Sequence, residues 1–133
     1  MKQSRDSREG GAAMVEFAIV VPILVLLVMG IVDVGRAYLV QTSVSNAARE
    51  GVRVMALSND QSQARVAARS GATALTPPLS DAQVAFSVSS CTPETHVTAT
   101  VTYSTTYITP LPGLLGVGNS LTLTGKGTMR CNG

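Results

Sequence analysis

The chain changes its pattern of apolar and polar positions twice. Residues 12–32 are almost uniformly apolar, with Glu16 the single ionisable side chain. As a helix this stretch covers about 31 Å, close to the roughly 30 Å hydrocarbon core of a bilayer. From Asp33 onward apolar residues recur at helical spacing instead. Val40, Val44, Ala47, Ala48, Val52 and Met55 fall on or near one face. No proline intervenes before Pro77, so one helix is expected over residues 12–57. A second, shorter helix is expected over 61–75, N-capped by Asn59 or Asp60, with a thin face of Ala64, Ala67, Ala68, Ala72 and Leu75. Gly71 weakens it, and Pro77-Pro78 ends it.

After Pro78 the period becomes two. Val84, Phe86 and Val88 alternate with polar residues, as do Val97, Ala99, Val101 and Tyr103. Leu121, Leu123 and Met129 form a weaker third run, interrupted by Gly125 and Gly127. The expected fold is α+β: a long N-terminal helix, a short second helix and an antiparallel sheet of three strands. One sheet face packs on the outer half of the long helix, and threonines occupy the other.

Three domain segments follow: a leader over 1–11, the helix over 12–57, and an outer α+β domain over 58–133. An outer unit of about 75 residues has a small core and gains from a covalent staple. Cys91 and Cys131 lack metal-ligand spacing and read as a disulfide formed in an oxidising compartment. If they end the first and third strands of a plain meander, the middle strand holds them about 9.6 Å apart. A bridge needs Cα atoms within roughly 7 Å. Either the outer strands pair directly or the final segment curls across.

Lys2, Arg5 and Arg8 precede the span, and the positive-inside bias keeps such an arm cytoplasmic. The remainder then lies outside the membrane, in agreement with the cysteines. A cleavable secretory signal fits less well, because the apolar core is too long and Asp33-Val34-Gly35-Arg36 follows it without a small-x-small cut site. Asp33 and Arg36, three apart, are expected to pair at the membrane surface. Pro22 removes a backbone donor and is expected to kink the span. Ser43, Ala47 and Gly51 form a stripe of small residues that admits a close backbone. Its partner is either another subunit or this chain's own sheet.

Little else points to chemistry. The net charge of +2 and the scarcity of aromatics give no basis for nucleic-acid binding. His96 is the single histidine, without a triad or metal pattern, and reads as a surface strand residue. The run from Gly113 to Gly118 lacks the order and the lysine of a phosphate loop. Outside the helices the acids are Asp81 and Glu94, with no pairing for acid–base catalysis. No enzymatic role, cofactor or metal is expected.

The first 55 or so residues do carry a recognisable combination. Gly11, four residues, then Glu16-Phe17 resembles the processing site of type IV pilin-like precursors. With Ala18, Pro22, Gly30, Gly35, Arg36, the run from Asn46 to Gly51 and Arg53, the segment resembles the TadE-like minor pilins of the tight-adherence, or Flp-type, pilus system. The resemblance implies a bacterial inner-membrane protein, cut between Gly11 and Ala12 by a membrane-embedded prepilin peptidase. Its implied partners are that peptidase, other pilin or minor pilin subunits, the assembly machinery and the lipid bilayer. The new ammonium at Ala12 of one subunit can then face Glu16 of another, with Phe17 part of the recognition signal. The alternative is an unprocessed, membrane-tethered binding module.

Overall fold

The computed structural model describes residues 6–131, with side chains from Gly10 onward. Lys2, Arg5 and the Arg8 side chain, which carry the orientation argument, lie outside the described residues. Helix α1 spans Asp6–Ser58 and runs through Pro22 without interruption. At 1.5 Å per residue it is about 80 Å long. Helix α2 spans Gln61–Gly71, strand β1 Val84–Phe86, β2 His96–Thr106, the single helical turn α3 Leu111–Leu114, and β3 Ser120–Arg130. The strands form an antiparallel sheet in the order β1-β2-β3. The α+β architecture is the one the two changes of period predict.

The two halves of α1 have different surroundings. From Met14 to Leu39 its large apolar side chains are mostly exposed. It is one helix long and apolar enough to cross a membrane. From Val40 outward one face is buried: Val44, Ala47, Ala48 and Met55 are at 0% exposure. Asn59 ends α1 in a left-handed conformation, its N–H donating to the Met55 carbonyl at 3.1 Å. Asp60 then caps α2, its carboxylate accepting from Ser62 N at 2.8 Å and Gln63 N at 3.2 Å. Two residues thus reverse the chain and lay α2 back along α1. Helix α2 stops at Gly71, four residues before the expected end. There the backbone passes Ala47 so closely that an added Cβ would sit 3.4 Å from its Cα.

The sheet packs on the same half of α1. Val97, Ala99, Val101 and Tyr103 of β2 are all buried, as their alternation predicts. The Tyr103 hydroxyl donates to the Pro77 carbonyl at 2.8 Å. On the far face, Thr98 bonds Thr128 at 2.9 Å and Ser104 bonds Thr122 at 3.0 Å across strands. Strand β1 is only three residues long, ending before Val88.

Gly125 and Gly127 do not interrupt β3; they are where it meets the helix. A Cβ at Gly125 would lie 2.6 Å from the Val44 carbonyl oxygen, and one at Gly127 would lie 3.0 Å from that of Ala48. Only a residue without a side chain permits that approach.

Cys91 and Cys131 form a disulfide, with Cα atoms 5.5 Å apart. The meander is plain, and neither expected route is used. Cys91 lies five residues beyond β1, in a loop that rounds the end of β2 to reach Cys131. The Asn59 side-chain oxygen accepts from the Cys91 N–H, and the Cys131 N–H donates to the Thr95 carbonyl at 2.9 Å.

Candidate functional site

Gly11, Ala12, Glu16 and Phe17 all lie within α1, and all are exposed. The peptide bond between Gly11 and Ala12 is therefore helical. Among the described residues a Cβ at Gly10 or Gly11 would meet nothing within 4 Å, so neither glycine packs against them. Each weakens the helix by about 1 kcal/mol relative to alanine.

Glu16 stands on the bare half of α1, one turn beyond Ala12. Among the described residues it forms no salt bridge; the ion pairs join Glu50 to Arg53, Asp81 to Arg69 and Glu94 to Arg130, all solvent-exposed. Pairs of that kind contribute little to stability. Any partner for Glu16 in a low-dielectric setting must come from outside this part of the chain.

The small-residue stripe has a partner within the chain, but it is α2 and not the sheet. Ala47 and Gly51 face α2, where a Cβ on Gly51 would lie 3.1 Å from the Ala68 Cβ and 3.4 Å from the Ala64 carbonyl oxygen. Ser43, at the near end of the stripe, is 7% exposed. Helix α2 therefore occupies the surface that could otherwise admit another helix. A second surface remains open. Leu27, Gly30, Ile31, Val34, Gly35 and Tyr38 line a shallow apolar groove on the bare half of α1. Among the described residues a Cβ at Gly30 or Gly35 would touch nothing.

Asp33 and Arg36 do not pair. Asp33 is only 7% exposed, and its carboxylate serves the β2–β3 connection. One oxygen accepts from Ile108 N at 3.0 Å and Thr109 N at 3.2 Å, and the other accepts from the Thr109 hydroxyl. The Thr109 hydroxyl is the main cause holding the carboxyl below its ordinary range. The two backbone donors add to it, and burial opposes it. Arg36, released from Asp33, lines a cleft with Thr76, Pro77, Ser104, Thr105, Thr106 and Ser120. Its Nε is buried without a partner.

The i, i+3 spacing suggested an Asp33–Arg36 pair because the sequence around residue 33 is silent about residue 109. The only local sign was an acid placed just past an apolar span. His96 opens β2 on the exposed surface.

Residues 11–53 match the family model described as TadE-like protein. That family is associated with the tight-adherence pilus. The matched segment begins at Gly11, holds Glu16, the open groove and Asp33, and ends within the buried half of α1. No curated protein and no solved structure matches the chain.

Proposed function

We propose that this chain, whose residues 11–53 are TadE-like, is a minor pilin, or pseudopilin, of the tight-adherence pilus. It inserts once into the bacterial inner membrane with its N-terminus cytoplasmic and its outer domain extracytoplasmic. A prepilin peptidase removes residues 1–11, and α1 then joins other pilin subunits and the assembly machinery. The role requires no catalytic residue, metal or cofactor in this chain.

One observation carries the reading: on the bare, apolar half of a helix stands an acid that has no ion-pair partner among the described residues. In hydrocarbon a lone carboxylate costs roughly 2.5–3.5 kcal/mol at a helix centre, and less near an end. Cleavage between Gly11 and Ala12 changes that balance. It creates an ammonium at Ala12 and leaves Glu16 within a turn of the new helix N-terminus, where the helix dipole favours an anion. An ammonium from a neighbouring subunit supplies the opposite charge, so register between subunits follows from pairing. The groove around Gly30 and Gly35 supports the same reading, since a second helix can approach there closely.

Intact mass of protein from peptidase-competent cells tests it. The expected N-terminus is Ala12; a native chain retaining Lys2 and Arg5 refutes processing and leaves a tethered binding module. In a Glu16→Ala variant, pilus assembly or processing is expected to fail. Wild-type levels of both would remove the roles assigned to Glu16.

A further inference from the structure

The connection between β2 and β3, residues 107–119, contains no charged side chain, and none occurs anywhere between His96 and Lys126. Its apolar side chains stay out of the core. Ile108 is 57% exposed, Leu114 77%, Leu115 70% and Val117 68%. Grouped exposed apolar side chains mark a surface that contacts something apolar.

Two observations place this surface along α1. Asp33 holds the Ile108 and Thr109 amides, one residue beyond the apolar run that ends at Val32. The strand register gives the same level independently. Gly127 packs at Ala48 and Gly125 at Val44, so two strand residues (about 6.6 Å) match four helix residues (about 6.0 Å). Continuing down β3 from Gly125 to Ser120 covers about 16 Å, or about eleven helix residues, which is the level of Asp33. Helix α3 follows directly after Thr109 and touches α1, and over the last turns of the apolar run Leu27, Ile31 and Val34 are exposed. Arg36, one turn further out on α1, lines the polar cleft with Ser104, Thr105 and Ser120. An apolar tip thus lies below a polar belt, in the same order as the layers of a membrane surface.

We propose that the tip formed by residues 111–117 inserts into the outer face of the bilayer, at the boundary between headgroups and acyl chains, so that the outer domain rests on lipid as well as hanging from α1. The inference rests on the reading of α1 as the membrane anchor. Lipid is the occupant because the tip offers apolar area without charge, and because its surface is continuous in level with the span. Amphipathic segments of this kind seat roughly 5–10 Å into the interface. Asp33 acts as the strap that keeps the tip at that depth.

The chain has no tryptophan, so single-tryptophan variants of the full-length protein report position in phosphatidylcholine vesicles carrying nitroxide-labelled lipid. Leu115→Trp is expected to emit in the blue and to lose most of its intensity to a nitroxide near the top of the acyl chain. Ser90→Trp, at the opposite end of the outer domain, is expected to emit in the red and to lose none. Val25→Trp reports the anchor itself through a nitroxide deep in the acyl chain. If Val25→Trp is quenched while Leu115→Trp stays red and unquenched, the lipid-seated tip is overturned and the anchor stands. If Val25→Trp escapes quenching, the anchor reading fails and the tip fails with it. Blue emission from Leu115→Trp that ignores the lipid label but follows protein density assigns the tip to a neighbouring subunit, and also overturns the proposal.

Discussion

Gly125→Ala isolates the contact that joins the sheet to α1. The added Cβ would lie 2.6 Å from the Val44 carbonyl oxygen, 2.7 Å from its carbon and 2.9 Å from the Ser45 Cα. All three are backbone atoms of a helix, with no rotamer to turn away. Either β3 lifts from α1 or the helix bends, and overpacking of this kind costs typically 1–3 kcal/mol. Two effects oppose it. Alanine loses less conformational freedom on folding than glycine and suits a strand better, together about 0.5–1 kcal/mol. The clash is the larger quantity, leaving a net loss of about 1–2 kcal/mol. For a domain of this size that lowers the melting temperature by roughly 4–16 °C. The assay is thermal melting of the full chain in detergent micelles with the disulfide intact. The near-UV circular dichroism of Tyr103, which is only 2% exposed, follows loss of the sheet. Gly113→Ala is the control: nothing lies within 4 Å of its added Cβ, and a change within about 0.5 kcal/mol is expected. A Gly125→Ala protein that melts at or above the wild-type temperature would refute the close approach of β3 to Val44, and with it the helix–sheet packing described above.

Two further predictions concern the outer domain. Reducing the Cys91–Cys131 bridge, which spans 40 residues of sequence, releases a loop whose closure is worth about 4 kcal/mol in the chain-entropy treatment; a urea midpoint unchanged by reductant would contradict a stapled domain. Because the folded-state pKa of Asp33 lies below its ordinary value of 3.8, its contribution is fully present above that value and is lost as pH falls through the lowered pKa. Amide exchange at Ile108 and Thr109 is therefore expected to accelerate in that acid range in wild type, and to be fast and flat with pH, after correction for intrinsic exchange, in Asp33→Ala. Equal protection in the two proteins would show that the carboxylate does not hold the loop.

The sequence by itself determined what nearest neighbours along the chain decide. A run apolar but for Glu16 specifies a helix long and apolar enough to cross a bilayer without reference to any other element, and Glu16 is conspicuous only against that background. The 3.6-residue period past Val40 and the strict alternation from Val97 to Tyr103 likewise fixed element type and buried face, because each element must present one apolar surface whatever covers it. Tertiary structure alone decided which surfaces met. The small stripe at Ala47 and Gly51 received α2, while the glycines of β3, which looked like interruptions, received the α1 backbone. Asp33 took donors 75 and 76 residues away instead of the arginine three residues on. Cys91 reached Cys131 through a loop, because β1 ended sooner than its alternation implied. Local periodicity reports the direction each side chain faces; the atom it meets depends on the register of segments distant in sequence, which no single segment encodes.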